Sequence, residues 1–431
     1  MKSFKINIPK KIKIALDKLQ ESGFEAFIVG GCVRDSFLRK DPHDWDIATS
    51  ATPKEIQEAF QNYDVIETGM KYGTLTVVID KEPIEITTYR IDGDYSDGRR
   101  PDEVTFTRNI EEDLSRRDYT INACASTGYN LIDPFGGQED AKNRLIRCVG
   151  NPSQRFTEDA LRILRGIRFA AQLDFDLQMD TFEAMKEKAF LLESVSVERI
   201  RMEFEKIVMA ENSGKGLRMC MAAGVLPYIL GEECMKNMNK SEIQALTELA
   251  ENIDKANSVK EIRLALVYLC FEKNKALIAM DRLNYDNKTN KMLKTAQNLL
   301  EELSFINDRV ILKKFIFRVG YEMYDYLENL SRQQRKVYDY SEYKIRNRMT
   351  IFDDIKKFKE CILLEELAVN GDDLMDLGIK EGEDIGKMLN MLIDVVHKNP
   401  SCNKKEILLK KALEFKKNPI SALLRGVRWY K

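Results

Sequence analysis

Residues 24–46 read FEAFIVGGCVRDSFLRKDPHDWD, and they contain the strongest indication of the fold in this sequence. A short apolar run over 24–29 ends in Gly30-Gly31, a pattern that is typical of a strand entering a tight turn. Two glycines at that point let the backbone approach a phosphate closely and offer it amide hydrogens. Arg34, a few residues further on, can clamp phosphate oxygens through paired hydrogen bonds. The stretch therefore indicates a phosphate-binding turn in an α/β unit.

Two carboxylates follow the turn. Asp44 and Asp46 lie two residues apart on a predicted strand, so both side chains are expected on the same face. Adjacent carboxylates repel each other unless a cation lies between them, and such oxygen ligands suit Mg²⁺, which also binds triphosphates. Glu85, between apolar residues on a later predicted strand, is a candidate third ligand, and its alternative is an exposed strand position. The combination favours a metal-dependent nucleotide site over a chance pairing of common motifs.

The rest of the first 150 residues is expected to be mixed α/β. Periodicity predicts a helix over 11–22, and Thr52-Pro53-Lys54-Glu55 is a capping box that opens a helix through Phe60. Strands are predicted at 46–49, 74–80 and 83–90, with a turn near Lys81-Glu82 and a loop over 91–103. Beyond Gly137 the pattern is helical, including 157–172, 180–190 and 197–210. The fold class is therefore α+β, with a compact α/β head on an extended helical body.

Composition excludes several classes of function. The 431 residues are 44% hydrophobic and 32% charged with a formal net charge of −2, so the chain is not a globally basic nucleic-acid binder. The sequence contains no run of about 20 apolar residues, which a membrane span requires, and we predict no membrane association. Eight scattered cysteines predict free thiols in a reducing cytoplasm. Two histidines, His43 and His397, are too few for chemistry that needs a histidine cluster.

The segment 157–168, TEDALRILRGIR, predicts a helix whose polar face carries chemistry. Asp159 and Arg162 are neighbours at i and i+3, followed by Arg165 and Arg168, while the apolar residues form a separate stripe. Cytosine and adenine both present an amino donor beside a ring-nitrogen acceptor, whereas guanine and uracil present a carbonyl beside an N–H. An Asp acceptor next to an Arg donor therefore matches C and A. The alternative is a surface ion pair on a basic helix.

Two further basic segments are open to two interpretations. Arg116-Arg117-Asp118 precedes a polar helix start and could hold phosphate and ribose, although such surface groups are usually weak ion pairs. Residues 404–431 carry nine Lys/Arg against two Glu, with Trp429 and Tyr430 among them. This terminus is either a solvated helix face or a surface that follows an RNA backbone.

Five motifs in order resemble a known family. They are GGCVRD with DWD, RRDYTINA (116–123), DPFGG (133–137), EDALRILRGIRF (158–169) and VSVERIRMEFEKI (195–207), and residues 369–389 are more faintly similar. Together they resemble the class II tRNA nucleotidyltransferases of bacteria, which share their catalytic fold with bacterial poly(A) polymerases. Arg39 stands where that family often has Gly, and His43 fills a variable position, but neither touches the proposed chemistry.

The resemblance implies a domain order and a set of partners. It implies a polymerase-beta-like nucleotidyltransferase head at 1–150, a helical neck at 151–230, a body at 231–350 and a tail at 351–431. Body and tail would hold the acceptor arm and 3′ end of tRNA. The implied activity is sequential addition of C, C and A from CTP and ATP, with Mg²⁺ as cofactor and pyrophosphate as product.

The resemblance also assigns roles to residues by matching position. Asp44 and Asp46 correspond to metal ligands, and Gly31 and Arg34 to triphosphate contacts. The remaining correspondences are nucleotide contacts at Arg116, the base-selecting pair Asp159 and Arg162, and further nucleotide contacts at Arg165 and Arg168.

Four alternatives remain open at the sequence level: a CC-only enzyme, an A-only enzyme, a poly(A) polymerase and a non-catalytic RNA-binding protein. Residues 89–101 resemble the flexible loop that full CCA enzymes keep and CC-only enzymes have shortened. Residues 67–74, ETGMKYGT, resemble the CCA type, and no basic segment typical of the poly(A) branch is present. Carboxylates beside a phosphate site argue against a protein that only binds RNA.

Overall fold

The computed structural model describes residues 5–42, 44–93, 103–338 and 343–417. The chain forms two compact units, Met1–Tyr285 and Asp286–Lys431. Every strand of the described residues lies in the first unit, and the described residues beyond Leu177 form helices and their connections. The predicted α+β class, an α/β head followed by helices, is confirmed. The four predicted domain boundaries stay a prediction.

The strands of the first unit are β1 (Ala26–Val29), β2 (Asp46–Thr49), β3 (Asp64–Gly69), β4 (Thr74–Ile79), β5 (Glu82–Thr88), β6 (Arg90–Asp92), β7 (Val104–Phe106), β8 (Ala125–Ser126), β9 (Leu131–Ile132), β10 (Leu145–Ile146) and β11 (Asp176–Leu177). Seven of them form the mixed sheet of the head, in the order β3-β4-β5-β2-β1-β8-β9. Strand β2 pairs antiparallel to β1 and parallel to β5, which places it in the middle of the sheet. Strands β6 and β7 form a separate antiparallel pair, and β10 and β11 a short parallel pair.

Helices make up the rest of the first unit. They are α1 (Lys10–Glu21), α2 (Gly31–Phe37), α3 (Pro53–Ala59), α4 (Ile110–Ser115), α5 (Gly137–Lys142), α6 (Pro152–Glu158), α7 (Leu161–Leu173), α8 (Met179–Lys188), α9 (Val197–Val208), α10 (Ser213–Ala222), α11 (Leu226–Leu230), α12 (Glu232–Met235), α13 (Lys240–Asn252), α14 (Lys260–Tyr268) and α15 (Lys273–Leu283). The capping box that opens α3 is present, because Thr52 and Glu55 exchange their side-chain and backbone hydrogen bonds. The apolar side chains of α1, α3 and the central strands form one buried core.

The second unit is helical throughout its described residues. It contains α16 (Asn287–Phe305), α17 (Arg309–Val319), α18 (Tyr321–Tyr338), α19 (Tyr343–Lys357), α20 (Gly371–Asp376), α21 (Glu383–Lys398) and α22 (Lys405–Lys417). Its core is formed by apolar side chains of α20, α21 and α22, among them Leu374, Leu392 and Leu408. None of the described helices in either unit combines the length and apolarity that a membrane crossing demands.

Three local predictions were wrong in detail. The turn after β4 lies at Asp80-Lys81, whose positive φ angles of 52° and 65° fit a two-residue hairpin turn, one residue earlier than predicted. Strand β3 was not predicted. Its side chains are mostly exposed and do not alternate between buried and exposed positions, so the sequence shows no strand pattern there. The predicted loop over 91–103 begins within β6, which pairs with β7. Residues 94–102 of that loop lie outside the described residues, as do His43 and residues 418–431.

Candidate active site

One pocket of about 510 Å³ collects nearly all of the predicted site residues. It lies in the first unit, between the N-terminal end of α2, the strand β2 and the helices α7 and α9. Of the ten residues singled out from the sequence, Glu85 alone does not line it. The lining residues are Gly30, Gly31, Arg34, Asp44, Asp46, Arg116, Arg117, Asp118, Asn122, Asp159, Leu161, Arg162, Arg165, Arg168, Phe169 and Arg199.

The acidic side of the pocket is formed by Asp44 and Asp46. Asp46 is the first residue of β2, whereas Asp44 precedes the strand, so the prediction that both lie on it was wrong for Asp44. Burial raises the pKa of Asp46 above its ordinary value, Arg117 opposes this shift, and the negative charge of Asp44 adds to it. A carboxylate in this setting is stabilised by a cation, so the pair fits a divalent metal ion.

Glu85 lies beside this pair but not in the pocket. Parallel pairing sets Ile47 of β2 opposite Ile86 of β5, so Asp46 and Glu85 occupy the preceding positions on neighbouring strands. Its pKa is raised by burial and then by the negative charges of Asp46 and Asp44, so Glu85 lies within electrostatic range of both aspartates. Within the described part of the chain, no three acidic, histidine or cysteine side chains are already arranged as a metal site. A metal role for Glu85 stays a prediction.

The Gly-Gly turn leads directly into α2. Gly30 has a φ of +77°, and a Cβ on it would lie 3.3 Å from Arg117 Nη1 and 3.9 Å from Asp46 Oδ2. The positive φ favours glycine here, and a side chain would also crowd the Arg117 guanidinium. Arg34, one turn into α2, donates from Nη1 to Asn122 Oδ1 at 2.8 Å and from Nε to Asp35 Oδ1 at 2.9 Å. The guanidinium is thus held in place at the pocket wall.

A second pair of guanidinium groups is held by a buried carboxylate. Asp113 of α4 accepts hydrogen bonds from Arg116 Nη2 at 2.7 Å and from Arg117 Nη2 at 3.2 Å. Burial alone would raise the pKa of Asp113, but the two arginines hold it below its ordinary value. Arg116 also lies 3.5 Å from Asp92. The Arg-Arg pair predicted at 116–117 is therefore fixed by the protein core and directed to the pocket.

The structure corrects the predicted helix over 157–172. Helix α6 ends at Glu158, Asp159 adopts an extended conformation with φ −144° and ψ 102°, and α7 begins at Leu161. Asp159 therefore sits in the break between two helices. Its Oδ1 accepts from the backbone N–H of Leu161 at 3.0 Å, and its Oδ2 accepts from Arg199 Nη2 at 2.9 Å.

Arg162 has different partners from those that the sequence suggested. It donates from Nη1 to Glu158 Oε2 at 2.8 Å and from Nη2 to the carbonyl of Arg116 at 3.0 Å. The alternative of an Asp159–Arg162 surface ion pair is thus wrong, since Asp159 pairs with Arg199 and Arg162 is only 8% exposed. Both side chains line the same pocket, each fixed by its own partner.

Arg165 and Arg168 lie further along α7 and are each paired with a buried carboxylate. Arg165 Nη2 lies 2.7 Å from Asp118 Oδ2, and Arg168 Nε lies 3.1 Å from Glu203 Oε2 of α9. Although burial opposes ionisation, Arg165 lowers the pKa of Asp118 to about 2. Asp118 also accepts from Asn122 Nδ2 at 3.3 Å, and Asn122 in turn holds Arg34. The arginines of α2 and α7 are thereby linked through one buried network.

No role was predicted from the sequence for four of the pocket's polar or aromatic residues. One of them, Asp118, stands beside the predicted Arg116-Arg117 pair, and its position could have suggested that it holds a guanidinium group. The other three belong to motifs that were recognised, but their spacing indicates no role, and only tertiary packing brings them to the pocket. They are Asn122, Phe169 and Arg199.

Three family models match successive parts of the chain. Residues 26–147 match the poly A polymerase head domain. Residues 174–235 match a probable RNA- and SrmB-binding site of polymerase A. Residues 254–412 match a putative domain 2 of tRNA nucleotidyltransferase.

Similar proteins extend over almost the whole chain. A CCA-adding enzyme of Streptococcus mutans is 36% identical over 399 residues, which is 91% of this chain and 94% of that protein. A CCA-adding enzyme of Streptococcus suis is 37% identical over 393 residues, or 89% and 92%. The crystal structure of the Bacillus stearothermophilus CCA-adding enzyme in complex with CTP has a TM-score of 0.78 and 29% identity, and the match covers 96% of this chain and 98% of that one. This chain therefore belongs to the family of CCA-adding enzymes, which are tRNA nucleotidyltransferases.

Proposed function

We propose that this protein adds C, C and A in sequence to the 3′ end of tRNA, using CTP and ATP and releasing pyrophosphate, without a nucleic-acid template. The observation that carries the proposal is the pocket described above. It places a pair of carboxylates, a group of arginines and an Asp/Arg pair around one volume. Each of these groups matches one part of a nucleoside triphosphate.

Base selection is assigned to Asp159 and Arg162. A carboxylate can accept several hydrogen bonds, so Asp159 can bind the amino group of C or A while it keeps its contacts with Leu161 and Arg199. Arg162 donates to the adjacent ring nitrogen. Uracil and guanine would direct a carbonyl at the carboxylate and an N–H at the guanidinium, and both contacts are repulsive. Because neither side chain is free to rotate, the protein itself acts as the template.

Triphosphate binding is assigned to the arginines and to the Gly30-Gly31 turn. Arg34, Arg116, Arg165 and Arg168 bring positive charge to the pocket, and Gly31 allows close approach of the backbone. Members of this family use divalent metal ions, and we propose Mg²⁺, held by Asp44 and Asp46 with Glu85 as a further candidate. When bound, Mg²⁺ would neutralise the triphosphate and lower the pKa of the primer hydroxyl.

Binding of the tRNA acceptor arm and 3′ end is assigned to the helical part of the chain, as the predicted body (231–350) and tail (351–431). All eight cysteines are free and seven of them are buried, which fits a reducing compartment, and we propose that the protein acts in the cytoplasm. A-only and CC-only addition are the alternatives within the family. Part of the loop that bears on the CC-only alternative, residues 94–102, lies outside the described residues.

The direct test is to sequence the 3′ ends of product. A tRNA that ends at the discriminator base is incubated with the protein, Mg²⁺ and CTP alone, ATP alone or both nucleotides. We expect two cytidines with CTP alone and CCA with both nucleotides. Primers that already end in C or CC serve as controls for each later step. Products that stop at CC with both nucleotides, addition of adenosine to a CC end without any addition of cytidine to the shorter primers, or long runs of A would each contradict the proposal.

A further inference from the structure

Three guanidinium groups of the pocket surround one aromatic ring. The Cζ atoms of Arg168, Arg34 and Arg165 lie 4.4, 5.5 and 5.5 Å from the ring centroid of Phe169. Arg34 comes from α2, whereas the other two arginines and Phe169 belong to α7. All four residues line the pocket. The ring is thus a point of contact shared by arginines from two different elements.

Each of the three arginines forms its ion pair with a different carboxylate, whereas all three contact the Phe169 ring. Arg34 pairs with Asp35, Arg165 with Asp118 and Arg168 with Glu203. Like charges so close together repel one another. The negative face of an aromatic ring offsets this repulsion, and it does so most strongly where water is excluded.

The ring itself is held firmly. Phe169 is 7% exposed and packs edge-on against Tyr119, with ring centroids 6.0 Å apart and an interplanar angle of 81°. Tyr119 in turn donates from its hydroxyl to the carbonyl of Arg162 at 2.6 Å. The ring that the arginines contact is therefore fixed by its packing against Tyr119. Tyr119 is in turn hydrogen-bonded to α7, the helix that carries both Phe169 and Arg162.

We propose that Phe169 is a positioning residue, whose ring face holds Arg34, Arg165 and Arg168 at the spacing that the triphosphate of either nucleotide requires. This inference rests on the proposed function and deepens it. The triphosphate is common to CTP and ATP, so the ring should affect both nucleotides equally and should have no part in choosing the base.

The test replaces Phe169 by phenylalanines carrying one, two and three ring fluorines, introduced by nonsense suppression. Fluorination weakens the negative ring face while the shape of the side chain is almost unchanged. We expect KM for CTP and for ATP to rise together with each fluorine, reaching about tenfold for the trifluoro ring. The value of kcat and the KM for tRNA should stay close to those of the wild type, because the lost contact is made equally in the ground state and the transition state.

A matched control is available within the same unit. Phe182 of α8 has a single cation, Lys186 Nζ, 5.8 Å from its ring centroid, and it lies outside the pocket. The same fluorinated series at Phe182 should leave both KM values unchanged. Thermal unfolding of every variant, and equilibrium binding of CTP without turnover, separate a change in nucleotide affinity from a loss of folded protein.

Two results would overturn the inference. One is a KM that does not change across the series at Phe169 in a folded, active protein, which would reduce the ring to a space-filling role. The other is a change in KM for one nucleotide only, which would assign the ring to base selection. An inactive wild-type protein would instead contradict the proposed function, so the two failures are distinguishable.

Discussion

At the scale of single residues, the proposed nucleotidyl transfer depends first on Asp46. Its carboxylate is buried beside Asp44, and burial raises its pKa, so the charge destabilises the folded protein in the absence of a cation. We expect Asp46→Asn to abolish nucleotide addition, because an amide cannot replace a charged metal ligand. The same variant should unfold at a temperature equal to or above that of the wild type and should bind tRNA normally. Mg²⁺-dependent incorporation and thermal unfolding measure the two effects.

Asp64→Asn provides the control for this prediction. Asp64 is an exposed carboxylate at the start of β3, in the same sheet but outside the pocket. Its substitution should change neither activity nor stability. Substantial Mg²⁺-dependent turnover by Asp46→Asn would contradict the metal assignment, and a large loss of stability would mean that the carboxylate is structural.

The side chains that form the site could be predicted from the sequence better than their contacts. Gly31, Arg34, Asp44 and Asp46 belong to one short stretch, and local spacing was sufficient to group them. The partner of Asp159 could not be predicted, because Arg199 is 40 residues away and reaches it only through the packing of α9. Phe169 closes one of the recognised motifs, but no role could be predicted for it, since an aromatic residue on a helix with an apolar stripe is most simply interpreted as core.

At the scale of elements, local rules predicted the capping box of α3 and the position of β2, but they failed at the junction of α6 and α7. The composition of 157–172 favours one continuous helix, and the apolar stripe predicted for it is buried in α7 at Ile163, Leu164 and Ile167. The break at Asp159 is instead set by hydrogen bonds from Leu161 and Arg199 to its side chain. Tertiary contacts there override the local preference for helix.

Close packing of α7 on Tyr119 yields a prediction for this element. A Cβ on Gly166 would lie 2.2 Å from the Tyr119 hydroxyl oxygen and 2.5 Å from Met185 Cε. Alanine favours a helix over glycine by about 1 kcal/mol, but overpacking costs about 1–3 kcal/mol. We expect Gly166→Ala to lower the midpoint of chemical denaturation and to impair addition of both nucleotides, since α7 carries Arg162, Arg165 and Arg168.

Gly386→Ala is the matched substitution. Gly386 lies within α21, and a Cβ on it would meet no atom within 4 Å. Alanine at this position should leave activity unchanged and stabilise its helix by up to about 1 kcal/mol. If Gly166→Ala behaved in the same way, the close packing between α7 and Tyr119 would not constrain the site.

The loop after β6 yields a second prediction at this scale. Deletion of residues 93–99, of which 94–99 lie outside the described residues, should spare both cytidine additions and block the final adenosine. A pocket that accepts cytosine must be reshaped for a larger purine, and a loop containing glycines can supply that movement. Primers ending at the discriminator base and at CC separate the steps. Completion of CCA by the deletion variant would show that the loop is only a connector.

At the scale of the whole molecule, the basic C-terminus is predicted to bind RNA phosphates. A truncation that tests this prediction has to spare Phe415 and Lys416. Phe415 is part of the core of the second unit, and Lys416 donates to the carbonyls of Leu377 and Gly378. A chain ending at Lys417 keeps these contacts and lacks residues 418–431. We expect it to bind tRNA more weakly while its affinity for CTP is unchanged.

Salt dependence identifies the kind of contact that is lost. The logarithm of the tRNA association constant should fall as salt rises, with a slope of about −0.9 per phosphate neutralised in duplex regions. The truncated chain should show a shallower slope than the full-length protein. If the truncated and the full-length chains had the same tRNA affinity and the same slope, the C-terminus would be a solvated surface that does not bind RNA.

In the proposed function, Asp159 and Arg162 act as a template for two bases, and Asp159→Ala removes the hydrogen-bond acceptor of this pair. The measurement is kcat/KM for CTP, ATP, UTP and GTP on one primer, for the wild type and the variant. A bidentate base contact contributes about 1–3 kcal/mol to discrimination, so we predict that UTP or GTP incorporation rises relative to CTP and ATP while the overall rate falls. If Asp159 only pairs with Arg199, the variant loses stability and keeps its nucleotide preference. An unaltered preference for C and A would contradict the account.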